Sequence, residues 1–252
     1  MAEQFPVGTP SWVDVVSTDL PRTRAFYLDL FDWDVREVEG GDGYSFFLKD
    51  GRLVAGASPA PSADEPSLWN TYVTVADVEV AAAAALAAGG SVRFPPMDVG
   101  ERGRMAGLVD PSGAPVSVWQ AGVAEGAELV NEPGAFCWNE LQTTATEVAK
   151  PFYQSLFGWE ERTSDFGGIA YTEWLREGQS VAGMMAMPPS VPSETSAFWL
   201  VYFSVVDCDD AVRRAEALGA EVLVPPFASP AGRFSVIQDP VGAVLAVITF
   251  AE

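Results

Sequence analysis

The order of hydrophobic and polar positions predicts short strands that alternate with helices. Runs rich in β-branched and aromatic residues predict strands, and two apolar-periodic stretches predict helices. The first helix is expected to begin near Leu20–Pro21, because proline suits the first turn, and the second to run over 78–88 and stop at Gly89–Gly90. The predicted strands of the first half are Trp12–Val16, Tyr44–Leu48, Trp69–Val75, Ser91–Phe94, Met105–Val109 and Pro115–Trp119.

The same pattern returns in the second half of the chain. Phe26–Tyr27 aligns with Phe152–Tyr153, and the "GRMAGLVDPSGA" segment aligns with "GRFSVIQDPVGA". Six of the eight tryptophans fall into three aligned pairs: Trp12/Trp138, Trp33/Trp159 and Trp69/Trp199. The sequence therefore predicts two homologous domains, 1–122 and 135–252, joined by a linker over 123–134. Each domain divides again into two modules of the order βαβββ.

Charge and composition narrow the function classes. The chain has 252 residues with a formal net charge of −21, which disfavours nucleic acid and anionic membrane surfaces as partners. It contains no histidine, which excludes imidazole catalysis and every metal site with a histidine ligand. Cys137 and Cys208 are too far apart in sequence to form a ligand cluster, and we interpret them as buried, inert thiols of a reducing compartment. The amino-terminal residues show no signal-peptide pattern, so we expect a cytoplasmic protein. We also expect no cofactor.

These motifs together resemble a known family. The βαβββ module, the "LFGW" helix end, the aspartate at the end of a strand before each helix, and "DP.GA" before the last strand resemble the glyoxalase/bleomycin-resistance/dioxygenase (vicinal oxygen chelate) superfamily. "GTPSWVDVVSTD" and "CWNELQTT" resemble its tandem two-domain subgroup. The resemblance implies an α+β fold in which each domain pairs two modules into a curved, cavity-enclosing mixed sheet. It does not decide function, because the superfamily includes isomerases, lyases, dioxygenases and drug-sequestering proteins.

The resemblance also implies positions for metal ligands, and this chain departs from them. The family's two histidines and one of its two glutamates fall on three residues of each domain, and none of these six is a histidine or a carboxylate. They are Trp12, Asn70 and Ser117 in the first domain and Trp138, Leu200 and Ala246 in the second. The strand of the remaining glutamate reads "LVAGAS" in the first domain and "SVAGMM" in the second, with no carboxylate. We therefore expect no bound metal.

Strand alternation predicts which side chains share the inner face. Residues i and i+2 lie on one face of a strand, so Asp14 accompanies Trp12, and Glu140 accompanies Trp138. Aromatic slots with few polar groups suit flat or partly apolar small molecules. The open alternative is that these aromatic residues fill the core of a degenerate domain. The candidate ligand-binding residues are Trp12, Asn70, Tyr72, Arg104, Trp119, Trp138, Gln142 and Tyr202.

Asp14 and Glu140 are the candidate catalytic residues. They occupy equivalent positions in the two repeats, and a carboxylate in apolar surroundings suits general acid/base work. The alternative is a structural carboxylate paired with an arginine or a tyrosine hydroxyl, for which Arg104 and its equivalent Arg233 are candidates.

Three functions remain open at the level of sequence. The first is metal-independent binding of an aromatic metabolite or antibiotic, with resistance by sequestration as one use. The second is a metal-free lyase or isomerase of secondary metabolism, in which Asp14 or Glu140 moves the proton. The third is an interaction protein without a small-molecule role. The four modules of one chain can satisfy each other, so a monomer is the simplest assembly and a homodimer is the alternative.

Overall fold

The computed structural model describes residues 5–62, 64–165, 168–188, 191–192 and 194–251. Both repeats contain two βαβββ modules, as the sequence predicts. The first repeat has β1 Pro10–Ser17, α1 Leu20–Phe31, β2 Asp34–Glu37, β3 Ser45–Lys49, β4 Arg52–Pro59, β5 Leu68–Thr74, α2 Val78–Ala87, β6 Ser91–Asp98, β7 Gly103–Val109 and β8 Pro115–Ala121. The second has β9 Phe136–Thr143, α3 Thr146–Phe157, β10 Glu160–Asp165, β11 Ala170–Arg176, β12 Gln179–Ala186, β13 Phe198–Ser204, α4 Cys208–Ala217, β14 Glu221–Ser229, β15 Gly232–Gln238 and β16 Val244–Phe250.

Each repeat forms one mixed sheet of eight strands. The strand order is β2-β3-β4-β1-β5-β8-β7-β6 in the first and β10-β11-β12-β9-β13-β16-β15-β14 in the second. Within a module the consecutive strands form antiparallel hairpins, and the first strand pairs in parallel with the last, as β1 does with β4 and β5 with β8. The predicted α+β class and the duplicated module are confirmed. Among the described residues, no helix is both long and apolar enough to cross a membrane.

The aspartates at the strand ends begin three of the four helices. Asp19 accepts a hydrogen bond from the backbone N–H of Arg22, Asp77 caps α2 and Asp207 caps α4. A carboxylate at the N-cap satisfies a backbone donor that the helix itself cannot pair, which explains why aspartate follows the strand. Helix α3 has Ala145 at its N-cap and therefore no side-chain cap.

The compact units of the chain are not the sequence repeats. Each unit takes one module from each repeat. Unit 1 comprises Met1–Trp12, Thr71–Gly126 and Asn139–Trp199, and unit 2 comprises Val13–Asn70, Ala127–Trp138 and Leu200–Glu252. The predicted domain boundaries therefore describe the duplication of the sequence, while the packing follows a different division.

Each unit has an aromatic core on the helical side of its strands. In unit 1 the core gathers Tyr153, Trp159, Trp174 and Trp199 around strand residues such as Leu108. In unit 2 the ring of Tyr27 contacts those of Trp33 and Trp69, and Phe203 packs on Trp69. These rings exclude water from the helix–sheet contact, so two of the three tryptophan pairs seen in the sequence serve the core.

A buried chain of hydrogen bonds repeats in both cores. In unit 2 the Trp69 indole N–H donates to the Tyr27 hydroxyl (2.9 Å), which donates to Asp239 Oδ2 (2.9 Å). In unit 1 Trp199 donates to Tyr153 (3.0 Å), which donates to Asp110 Oδ2 (2.9 Å). Each series of hydrogen bonds joins the first module of one repeat to the second module of the other. The "DP" turns predicted from sequence therefore also stabilise the packing inside each unit.

Candidate functional site

A polar cluster in unit 2 centres on Asp14, which is only 3% exposed. The Asn70 amide donates to Asp14 Oδ1 at 2.9 Å, and the Tyr44 hydroxyl donates to Oδ2 at 3.2 Å. Asn70 is buried and Tyr44 is half-buried. This bond places the side chains of Asp14 and Asn70 on the same side of the sheet. A buried carboxylate with these neighbours can accept a proton or bind a donor group of a ligand.

Gly56 makes room for the Tyr44 hydroxyl in this cluster. It pairs with Asp14 between the parallel strands β1 and β4. A Cβ atom at position 56 would overlap the Tyr44 hydroxyl and lie 3.1 Å from Asp14 Cβ. Because Gly56 has no side chain, the phenol of Tyr44 can lie over β4 and reach the carboxylate of Asp14.

Unit 1 carries the equivalent carboxylate, Glu140. It is buried, and Gln142 on the same strand donates a hydrogen bond from its amide to Glu140 Oε1. Glu140 pairs with Gly183 of β12, as Asp14 pairs with Gly56. Both predicted catalytic carboxylates are thus buried beside a side-chain amide. The amide comes from another strand in unit 2 and from the same strand in unit 1.

The aromatic candidates of unit 1 occupy the face of the sheet away from the helices, called the helix-free face. Val73 and Val118 belong to the helical core, so the alternating Tyr72 and Trp119 lie on the opposite face. Tyr72 pairs with Ser117 across β5 and β8. Trp119 is half-buried and its indole N–H donates to the Ala124 carbonyl. Trp12 on β1 is also half-buried.

Unit 2 has its own aromatic group on the helix-free face. The ring of Tyr202 lies 5.8 Å from that of Phe234, which lies 4.2 Å from that of Phe227. Tyr202 is buried, whereas Phe227 is 42% exposed. The rings therefore form a graded aromatic surface between the interior and solvent. Trp138, the remaining aromatic candidate, is half-buried on β9.

Arg104 does not form the pairing with a buried carboxylate that the sequence offered as an alternative. Its guanidinium binds Glu79 of α2 at 2.9 Å and Asp98 of β6 at 2.7 Å, and these partners hold its pKa above the ordinary value. It pairs with Gln120, the neighbour of Trp119, so strand alternation turns it toward α2. Arg233 likewise binds Asp209 of α4. A ligand contact for Arg104 stays a prediction, and the structure gives it a role at the helix.

Burial raises the pKa of both cysteine thiols. The pKa of Cys137 is raised to about 12 and that of Cys208 to about 11. A thiol becomes a nucleophile or metal ligand as the thiolate, which burial disfavours here. The direction of both changes fits the interpretation of inert thiols.

The donor set does not fit a transition metal. Within the described ranges no group of three histidine, cysteine, aspartate or glutamate residues is close enough to hold an ion. Asp14 is bonded to an amide and a phenol, both weak ligands for such ions, and the sequence supplies no imidazole. The donor groups therefore offer a transition metal no suitable site in the described part of the chain.

Sequence reasoning missed four residues of these surfaces. The sequence predicts Tyr44 only as the start of a strand, and it does not single out Gly56, Phe227 or Phe234. A signal existed for the first two: Tyr44 and Gly56 have the repeat equivalents Tyr171 and Gly183 at the same spacing in the second half. A glycine that recurs twelve residues after a recurring tyrosine marks a strand position over which a ring can lie.

The comparison with family models gives the class of this protein. The model of the "Glyoxalase/Bleomycin resistance protein/Dioxygenase superfamily" matches residues 9–118 and 138–247, so the chain belongs to that superfamily and the resemblance is confirmed. Among relatives, the chain is 39% identical to the Mycobacterium tuberculosis protein named "Putative glyoxylase CFP32", over 97% of this chain and 96% of the relative. It is 35% identical to "Anthracycline biosynthesis protein DnrV" of Streptomyces peucetius, over 99% of this chain and 96% of the relative.

Solved structures agree on the fold. A Mn(II)-bound glyoxalase from Novosphingobium aromaticivorans superposes with a TM-score of 0.67 at 18% identity, covering 98% of this chain and 83% of the other. The catechol dioxygenase BphC superposes with a TM-score of 0.66 at 13% identity, covering 96% and 87%. At these identities the likeness concerns the arrangement of modules alone.

Proposed function

We propose that this protein binds a small aromatic molecule on the helix-free face of its sheets without a metal ion. The observation that carries the proposal is the aromatic surface in unit 2, where Tyr202, Phe234 and Phe227 are in ring contact and exposure rises toward solvent. Stacked or tilted rings of this kind offer a flat ligand favourable contacts beyond the burial of area alone. In unit 1, Tyr72 and Trp119 lie on the same helix-free face.

The relatives support a place in secondary metabolism. One relative at 35% identity is named for anthracycline biosynthesis, and anthracyclines are flat polycyclic aromatic molecules. An aromatic polyketide is therefore the ligand class we infer, with sequestration of an antibiotic as one use. The unsuitable donor set supports binding that does not depend on a metal.

Isothermal titration calorimetry with a tetracyclic aromatic polyketide tests the proposal. We expect binding with a Kd well below about 1 mM, unchanged by a chelator. Phe234→Leu should weaken binding at unit 2, and Trp119→Leu is the matched change in unit 1, so the pair reports which surface is used. A Kd of 1 mM or weaker for a panel of polyketide, glycopeptide and simple aromatic ligands would contradict the proposal.

One observation favours a second candidate, a metal-free lyase or isomerase. Asp14 and Glu140 are both buried and each accepts a hydrogen bond from an amide, an environment that suits proton transfer. The thiol adduct of a 2-oxoaldehyde is the first substrate to test, given the relative named as a glyoxylase. Turnover that persists in a chelator and is lost in Asp14→Asn or Glu140→Gln would establish this activity. Turnover unaffected by both substitutions would exclude these carboxylates as its proton carriers.

A further inference from the structure

Thr74 of β5 carries a buried hydroxyl that has no hydrogen-bond partner among the described residues. The residue is 6% exposed and lies between Val73 and Val75, which both belong to the helical core. Strand alternation therefore places the Thr74 side chain on the helix-free face of unit 1. A buried polar group that makes no hydrogen bond lowers stability, and a partner from outside the chain would remove that cost.

The neighbouring strand supplies an aromatic ring that does not cover this hydroxyl. Trp119 of β8 pairs with Thr74 in the parallel register of the two strands. Its indole N–H donates to the Ala124 carbonyl at 2.9 Å, and its ring lies over Gly103 of β7, where a Cβ atom would come within 2.7 Å of Cζ2. In the strand order β5-β8-β7 the indole therefore extends away from Thr74, and these two contacts hold it there.

Small side chains continue the same face beside the Thr74 hydroxyl. Ser117 of β8 pairs with Tyr72 of β5 on one side and with Gly107 of β7 on the other. Ser117 is buried and adds a second hydroxyl to this face, two residues before Trp119. Gly107 has no side chain, so an aromatic molecule can approach the backbone of β7 closely at this position.

The same face of unit 2 is more apolar. The positions of Ser117 and Gly107 hold Ala246 and Val236 there, which pair with each other across β15 and β16. Alanine in place of serine removes one hydroxyl, and valine in place of glycine adds a side chain to the sheet surface. Recognition of a polar group on a ligand is therefore expected in unit 1 rather than in unit 2.

We propose that the helix-free face of unit 1 binds aromatic molecules that bear a carbonyl oxygen, and that the Thr74 hydroxyl donates a hydrogen bond to this oxygen. The ring of the ligand packs against Trp119 and over Ser117. The unpaired hydroxyl needs an acceptor, and the formal net charge of −21 disfavours an anionic one, which leaves a neutral carbonyl. The inference rests on the proposed function, and it adds the polar group of the ligand and the residue that recognises it.

Equilibrium dialysis with two probes of nearly equal shape tests the hydrogen bond. The probes are 2-acetylnaphthalene, which has a carbonyl oxygen, and 2-isopropenylnaphthalene, which has a methylene group in its place. We expect Thr74→Val to weaken binding of the ketone relative to the alkene by about two- to tenfold, the range set by one net hydrogen bond. The matched control is Ser204→Ala, because Ser204 is the repeat equivalent of Thr74 in unit 2, and it should leave the ratio of the two Kd values unchanged.

Two further measurements do not depend on that variant's affinity alone. Thr74→Ser keeps the hydroxyl, so it should keep the wild-type ratio of the two Kd values even if Thr74→Val fails to fold. In the absence of probe, Thr74→Val should raise the urea midpoint, because valine has nearly the same shape and no unpaired hydroxyl. A lower midpoint for folded Thr74→Val would show that an ordered water or a protein group pairs with the hydroxyl, and it would overturn the inference.

The outcomes separate this inference from the proposed function. An equal loss of ketone and alkene binding in Thr74→Val would overturn the inference and leave aromatic binding intact, because Thr74 would then act through packing alone. A changed ratio in Ser204→Ala and an unchanged one in Thr74→Val would also overturn it, since the carbonyl would then be bound in unit 2. If neither probe nor any polyketide binds, the proposed function fails and the inference fails with it.

Discussion

Replacing Tyr27 by phenylalanine should destabilise the protein far more than the loss of one hydroxyl suggests. The side chain is fully buried, and its hydroxyl both accepts from the Trp69 indole and donates to Asp239. The substitution leaves two buried polar groups with one partner fewer. Each such group costs about 1–3 kcal/mol. Asp239 keeps bonds from the backbone N–H groups of Val241 and Ala243, so we expect a total loss of about 2–4 kcal/mol in the free energy of unfolding.

Urea unfolding followed by tryptophan fluorescence measures this loss, and thermal unfolding should show a fall in Tm of roughly 4–16 °C. Tyr153→Phe should cost a similar amount, because Trp199 and Asp110 bond Tyr153 in the same way. Asp239→Asn should be non-additive with Tyr27→Phe, while Asp110→Asn should add to it within about 0.5 kcal/mol. A loss below about 0.5 kcal/mol for Tyr27→Phe would refute the reasoning, since that is the scale of an exposed substitution.

Three further predictions concern pH, thiols and metal. Burial raises the pKa of Asp239, although backbone N–H groups act in the opposite direction. The contribution of Asp239 to stability is therefore fully present below its unfolded pKa of about 4 and is lost as the pH rises through its folded pKa. Asp239→Asn should flatten the dependence of the unfolding free energy on pH, and equal slopes in the two proteins would contradict this. Cys137 and Cys208 should react with a disulfide reagent at pH 8 only on unfolding, because their pKa values are about 12 and about 11; labelling of the folded protein as fast as in urea would show otherwise. Elemental analysis of untagged protein should find no stoichiometric zinc, nickel, iron or manganese, and one equivalent of any of these would show that the donor analysis is wrong.

The sequence alone determined the modules, because their signals are local. Strand and helix periodicity, the glycine stops and the capping aspartates all act within a few residues of the chain. The absence of histidine and the identity of the residues at the implied ligand positions are likewise properties of the sequence. Strand alternation predicts that Asp14 shares a face with Trp12 and Glu140 with Trp138, since the two-residue period of a strand fixes the face of every side chain.

Tertiary structure decided which modules pack together and which side chains meet. All four modules have the order βαβββ and each helix buries one apolar side, so periodicity cannot tell a partner in the same repeat from one in the other. That choice depends on contacts such as Tyr27 with Asp239, which are 212 positions apart. Arg104 bound α2 and not a buried carboxylate, because its strand position turns it toward the helix. The contact of Tyr44 with Asp14 depends on the missing side chain at Gly56, and it forms only once β4 lies between β3 and β1.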